Sequence, residues 1–324
     1  MKKNIKKFIS RVGTIKNSIF NVHQKIGIKG LEFVGNKYIY KDQAASDLIT
    51  KVLNRNEPCL IARFGTTELS VINFFLQNKK LGCKFPEDLK KNISELSGFF
   101  PNSDNSLIRF CCESLACIDN IDVLGLRSKP YEEQFYELEI KFVNMLNSKS
   151  YLTDIEDLTP FFAEKPWTAC LENKKVLVIH PFKDSIITQY NKRSLLFKDD
   201  KILPRFELKT IKAVQSLADS KNKLPFNTWF EALEHMYEEI DEIDFDIAII
   251  GAGAYGLFLA DYCKKKGKKA IVIGGGLQVL FGIKGKRWDE IPEWNNRMYN
   301  ENWIYPLDSE KPTNYKKVEG GCYW

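Results

Sequence analysis

Apolar positions along the chain follow two rhythms. Short unbroken apolar runs bounded by turn residues mark strands buried on both faces. They fall at Cys59–Arg63, Asp122–Leu126, Val176–His180, Glu207–Ile211, Phe245–Ile250 and Ala270–Ile273. Between them, apolar residues recur every three or four positions, which predicts helices over Asp42–Asn54, Thr67–Gln77, Tyr131–Asn147, Asn227–Ile240 and Tyr255–Lys266. Strands alternating with helices predict an α/β, Rossmann-like fold: a mainly parallel sheet flanked by helices. The pattern divides the chain into a basic segment (1–41), an α/β half (42–152), a connecting stretch rich in proline, acids and aromatics (153–173), a second α/β half (174–290) and an aromatic-rich tail (291–324).

An apolar share of 44% and a charged share of 28% exclude a disordered chain. The net charge of +6 is too small to argue for nucleic acid as a partner, and it leaves anionic small molecules or lipid open. Basic residues crowd only the start: Lys2, Lys3, Lys6, Lys7, Arg11, Lys16, Lys25 and Lys29 precede the first acid, Glu32. Ile5, Phe8, Ile9, Val12, Ile15 and Ile19 would share one face of a helix there. Such a basic amphipathic helix suits an anionic membrane surface, and equally a solvated face packed on the domain. Its apolar residues are too interrupted for a signal peptide and too few for a membrane span. Eight cysteines without a Cys-x-x-Cys pair, and only three histidines, argue against structural zinc. The expected setting is a reducing cytoplasm, with the protein soluble or peripheral on the inner face of the plasma membrane.

The strongest local signal is the run Phe245–Ile250 followed by Gly251-Ala-Gly253-Ala-Tyr-Gly256 and an apolar helix. In a strand–turn–helix unit, the first glycine permits the turn and the second lets a phosphate approach the backbone. The third lets helix and strand pack closely. Free amides at the helix start then face the anion along a favourable dipole. The plain alternative is that these glycines serve packing alone. An acid at the end of the next strand would hold the ribose of a dinucleotide, but Gly274, Gly275 and Gly276 stand there. The turn therefore points to a nucleotide or phosphate rather than to NAD. Beyond it, Lys284, Lys286 and Arg287 could neutralise a diphosphate, with Trp288 stacking on a base or sugar, or could form a solvated loop over a buried Trp.

In the first half, a strand ends in Arg63-Phe-Gly65-Thr66-Thr-Glu68 and a helix begins. Glu68 reads as a base for an acceptor hydroxyl, as a metal ligand, or as a helix-dipole partner of Arg63. Together, Arg63-Phe-Gly65-x-x-Glu68 and the glycine-rich unit ending in Gly274-Gly-Gly276 resemble the GT-D-type glycosyltransferases of bacterial surface-glycan assembly, over roughly Asp42 to Asp289. The resemblance implies a nucleotide-diphospho-sugar donor, UDP-linked for preference, and a glycan or lipid-linked glycan acceptor. It also implies donor contacts from Arg63, Gly65, Thr66 and the glycine turns. Better-known members carry Asp-x-Glu after Arg-Phe-Gly and bind a divalent metal, Mn or Mg, through it. Thr66 replaces that aspartate here, so the cations at 284–287 are expected to take over charge neutralisation. Asp289 is a second candidate base.

Lesser signals complete the reading. His180, Asp184 and Arg193 follow an apolar strand and could touch sugar or phosphate, although a histidine there is more simply a core residue. Trp229 reads as a buried residue at a helix start, His235 as surface, and the ending Glu319–Trp324 as a possible cover for the cleft. Two other functions fit less well: an oxidoreductase holding NAD or FAD on Gly251–Gly256, and a non-catalytic nucleotide- or glycan-binding module. Deleting residues 1–30 should release the protein from anionic liposomes in a flotation assay; unchanged binding would refute the membrane reading of that segment.

Overall fold

The computed structural model of the chain describes residues 31–34, 37–78, 82–127, 133–216 and 224–324. The amphipathic helix expected within residues 1–30 lies outside them. Nine strands are described: β1 (Leu31–Val34), β2 (Lys37–Tyr40), β3 (Cys59–Ala62), β4 (Val123–Leu126), β5 (Tyr151–Asp154), β6 (Lys175–His180), β7 (Glu207–Lys212), β8 (Ile247–Ile250) and β9 (Lys269–Val272). They form one sheet in the order β1-β2-β5-β4-β3-β9-β8-β6-β7. Edge strand β1 is antiparallel to β2, and the other described pairings are parallel.

Helices cover both faces. They are α1 (Asp42–Leu53), α2 (Thr66–Asn78), α3 (Glu87–Ser97), α4 (Asp104–Cys117), α5 (Glu133–Val143), α6 (Lys183–Tyr190), α7 (Trp229–Asp241), α8 (Gly256–Lys265) and the short α9 (Gly276–Leu280), α10 (Lys286–Asp289) and α11 (Pro292–Arg297). Alternate residues of each central strand feed opposite cores. Leu60 and Ala62 of β3, Leu177 and Ile179 of β6, and Ala248 and Ile250 of β8 pack with α2, α4, α7 and α8. Cys59, Ile61, Val176, Val178, Ile247 and Ile249 pack with α1, α6, α9 and the tail residues Trp303 and Trp324. Burial on both faces is why these strands appear in the sequence as continuous apolar runs.

All six strands expected from the sequence are present. Strands β1, β2 and β5 escaped because each is four residues long and, where described, partly polar. Strand β5 also corrects the expected connecting stretch: Thr153 and Asp154 belong to the sheet, which runs through both halves without a break. Helix α3 carries only three large apolar residues, Leu89, Ile93 and Leu96, too few for a clear period. Helix α4 hides part of its apolar face in Cys111 and Cys117, and opens with Ser103 accepting from the Ser106 amide.

The topology creates one crevice. Strands β3 and β9 pair at the centre; on one side the chain moves outward from β3 through β4 to β5, and on the other it starts at β6, steps out to β7 and returns through β8 to β9. An open parallel sheet binds ligands where the winding reverses, outside the carboxyl ends of its strands. The turn after β8 is braced from below by aromatics. Tyr255 stacks on Trp229 with ring centroids 4.5 Å apart, and Trp229 also meets Phe99, Phe110 and Phe258 edge-on or tilted. As expected, Trp229 is fully buried at the first turn of α7, where Thr228 accepts from the Glu231 amide. Trp229→Ala should cost about 3–5 kcal/mol of unfolding free energy. Urea titration checks this, and a loss under about 1 kcal/mol would contradict the bracing role.

Candidate functional site

A cleft of about 950 Å³ opens at the carboxyl ends of the central strands, at the upper end of the range for small-molecule sites. Each wall is a strand end: Arg63 and Gly65 after β3, Arg127 after β4, Ile155 after β5, Pro181 after β6, Gly251 and Gly253 after β8, and Gly274 and Gly275 after β9. The two motifs, nearly two hundred residues apart in the chain, thus face each other across the pairing of β3 and β9. A side chain added to Gly274, which has a φ of +56°, would start 3.5 Å from Nη1 of Arg63.

The two arginines at adjacent strand ends differ in partners. Arg127 is buried: its backbone amide and Nη1 donate to Glu139, itself buried, and its Nη2 donates to the Phe64 carbonyl at 2.8 Å. That last bond clamps the turn carrying Arg63. Arg63 itself makes no hydrogen bond or ion pair among the described residues. Burial, then the like charge of Arg127, pulls its pKa below the ordinary arginine range, against weaker support from Glu156, Tyr323 and Glu139. A guanidinium without a hydrogen-bond partner or close counter-charge lowers the stability of the fold.

The glycine turns supply matching donors. The amides of Ala252 and Gly253 donate to no protein acceptor among the described residues, and neither do those of Gly274 and Gly275. Gly253, with a φ of +51°, is exposed to the cleft. Gly251 is a close-approach position, since a Cβ there would lie 2.7 Å from the Gly274 carbonyl and 2.8 Å from the His180 ring. Gly256 is no part of the wall. It meets Val272 at 3.1 Å and so performs the packing expected of a third glycine.

Glu68 and Thr66 line the cleft beside Gly65, and the Glu68 carboxylate folds back against the Gly65 Cα. Further acids, Asp42, Asp154, Glu156 and Asp157, line the side under β5. Burial raises the Asp157 carboxyl to about 6 although the Asp42 amide donates to it. Among the described residues no group of three or more His, Cys, Asp or Glu side chains is arranged to hold a metal ion.

Several expected site residues lie elsewhere. Asp289 is outside the cleft, its two carboxylate oxygens accepting from the hydroxyls of Tyr299 and Tyr305. The three cations do not converge: Lys284, before α10, sits over the Tyr299 and Tyr305 rings, Lys286 is exposed, and of the three Arg287 alone lines the cleft. Gly276 faces Thr159 instead of the cleft, and Trp288 is buried beneath Gly275 and Gly285 rather than free to stack. Asp184 and Arg193 are also outside; Glu310 from the tail accepts from the Asp184 amide, and Arg193 lies over Tyr190. The tail residues Val318, Glu319, Tyr323 and Trp324 do line the cleft. Arg127, Asp157, Gln215 and Gln278 were not singled out from the sequence. Arg127 had the same signal as Arg63, a cation directly after an apolar strand.

His180 both lines the cleft and belongs to the core, with 5% of its surface exposed. Its Nδ1 accepts from the Phe182 amide at 3.0 Å, so in the neutral ring the proton sits on Nε2. Burial lowers its pKa from 6.5 to about 3.

No family model matches the chain, and no curated protein matches it. A solved structure described as "Selenomethionine substituted structure of domain of unknown function 1792 (DUF1792)" is similar over 94% of this chain and 96% of its own, at 9% identity and a TM-score of 0.47. At that distance the likeness supports no inference about ligand or reaction.

A histidine kept neutral by the fold contributes stability that is complete above pH 6.5 and is lost as pH falls toward 3, because only the unfolded chain gains the proton. Between pH 7.5 and 5.5 the parent should therefore lose about 1.4 kcal/mol more unfolding free energy than His180→Gln. Equal losses in urea titrations of the two proteins would mean that His180 titrates normally.

Proposed function

We propose that the chain is a glycosyltransferase that takes its sugar from a nucleotide-diphospho-sugar, with UDP as the carrier, and passes it to a saccharide or lipid-linked saccharide hydroxyl. The observation that carries this reading is the partnerless Arg63 guanidinium facing two glycine turns whose amides are also free. Cation and amides together suit a diphosphate, and the cleft has room for the nucleoside and sugar attached to it.

The chemistry follows from where charge develops. As the bond from the anomeric carbon to the β-phosphate oxygen breaks, positive charge grows on the sugar and negative charge on the departing diphosphate. Arg63, with the amides of Ala252, Gly253, Gly274 and Gly275, meets the second of these with donors already oriented. The acceptor oxygen bonds to the anomeric carbon, and its proton passes to a carboxylate on the opposite wall. Glu68 is the candidate base, and Asp157 faces the same space.

Two further elements of the reading concern setting. Among the described residues no helix is long and apolar enough to cross a membrane. A basic amphipathic segment at residues 1–30 would instead hold the enzyme peripherally at the inner face of the plasma membrane, beside a lipid-linked acceptor. A dinucleotide enzyme is the less favoured reading, since the end of β9 offers Gly274 against Arg63 where the ribose-binding acid should be.

A ligand that binds only the folded state raises its stability, by about 2.7 kcal/mol at a hundredfold excess over Kd. In a thermal-shift series, UDP should therefore raise the melting temperature, while NAD and S-adenosylmethionine should not. Arg63→Met should abolish the UDP shift yet leave the ligand-free protein at least as stable as the parent, because it removes a part-buried charge that makes no hydrogen bond or ion pair among the described residues. A full UDP shift in Arg63→Met would overturn the assignment of the diphosphate to this arginine. Stabilisation by NAD in place of UDP would overturn the transferase reading.

A further inference from the structure

Another cation of the cleft, Arg287, is already occupied. Its Nη2 forms a close ion pair with Glu319, its guanidinium lies 5.0 Å from the centre of the Tyr323 ring, and its Nη1 is 3.5 Å from the Tyr323 hydroxyl. The backbone joins the same contact, since the Arg287 amide donates to the Cys322 carbonyl at 3.0 Å. The Tyr323 ring in turn lies against Gly275: a Cβ on that glycine would be 3.1 Å from Tyr323 Cε1. Residues 318–324 thus form a strap across the second glycine turn, and Glu319 is the only charge the strap brings to the cleft.

The two ends of this strap are held differently. At one end, the Trp324 indole donates to the Glu310 carbonyl, and Glu310 is locked by the amides of Asp184 and Ser185 and the Ser185 hydroxyl. At the other, Glu319, Gly320 and Gly321 follow one another with φ of +46°, +70° and +87°. The glycines adopt that conformation freely and Glu319 does so at a cost. The Arg287–Glu319 pair is half exposed on both sides, the kind of ion pair that contributes little to folding and exchanges partners readily.

Resting on the diphosphate reading of the cleft, we propose that Glu319 is an exchangeable counter-ion: its carboxylate occupies Arg287 while the site is empty, and a phosphate of the incoming diphosphate displaces it and lifts the strap from Gly275. Carboxylate and phosphate present the same paired oxygens to a guanidinium, so one can replace the other without moving Arg287. The diphosphate, with two negative charges against the carboxylate's one, wins on charge. Arg63 then receives one phosphate unopposed, and Arg287 receives the other only in competition with Glu319. Nucleotide affinity is therefore set below what the cations alone would give.

The test compares the full chain with Glu319→Gln and Asp308→Asn, using UDP and inorganic pyrophosphate in calorimetric titrations. Asp308 is fully exposed, carries the same charge and pairs only with Lys311, so its loss controls for the general field. Removing the competing carboxylate should tighten UDP and pyrophosphate by about two- to fivefold, with Asp308→Asn unchanged. In hydrogen exchange, UDP should speed exchange of the amides at 319–322 in the parent, and these amides should already be fast in Glu319→Gln. If the parent binds UDP and Glu319→Gln binds it no more tightly, or if Asp308→Asn tightens it equally, the counter-ion role is overturned while the diphosphate site stands. If no variant binds UDP or pyrophosphate, the diphosphate reading fails and this inference fails with it.

Discussion

An arginine side chain left without a partner at the middle of a parallel sheet is the constraint around which this molecule is organised. Arg63 sits where the two sides of the sheet meet, and among the described residues none hydrogen-bonds or pairs with it. Its neighbour Arg127 shows what the fold does when a guanidinium is structural: a buried carboxylate, a backbone carbonyl and its own peptide amide are engaged. The contrast between two arginines at adjacent strand ends separates a built-in support from a charge kept available. Burying a charge without a counter-charge lowers stability, and such a cost persists where a ligand supplies the missing partner.

The surroundings of Arg63 make sense in those terms. Paired strands β3 and β9 bring the Arg-Phe-Gly turn and the Gly274 turn side by side, and β8 adds the Gly253 turn next to them. Gly251 and Gly274 keep the backbone close enough that any larger residue would fill the space between arginine and amides. The Trp229–Tyr255 stack beneath fixes the Gly253 turn, so its amides are oriented before a ligand arrives. Preorganised donors of this kind act without reorganising as charge develops, which is the larger part of what a transferase needs at its leaving group.

Much of this was legible in the sequence, for physical reasons. Strands buried on both faces are unbroken apolar runs, so β3, β4, β6, β8 and β9 could be located, and glycines after two of them marked where backbone must approach something closely; the half-exposed edge strand β7 showed only through Leu208 and Ile211. Strands β1, β2 and β5 could not, because four residues of mixed polarity carry no period. Proximity in sequence misled at 284–289: a run of cations looks like a cluster, but Lys284, before α10, lies over tyrosine rings, Lys286 is exposed, Arg287 pairs with Glu319, and Asp289 accepts from two tyrosine hydroxyls. The partner of a charge is also invisible in a chain. Nothing in the residues around position 63 or 127 says which arginine will find Glu139, and nothing near Arg287 says that Glu319 will reach it.

A crystal structure of the protein soaked with UDP would test the central claim most directly. The account requires the diphosphate to lie between β3 and β9, with oxygens within about 3.2 Å of the Arg63 guanidinium and of the Gly253 amide. A diphosphate bound elsewhere, or an Arg63 side chain found paired with a carboxylate of its own protein, would contradict it.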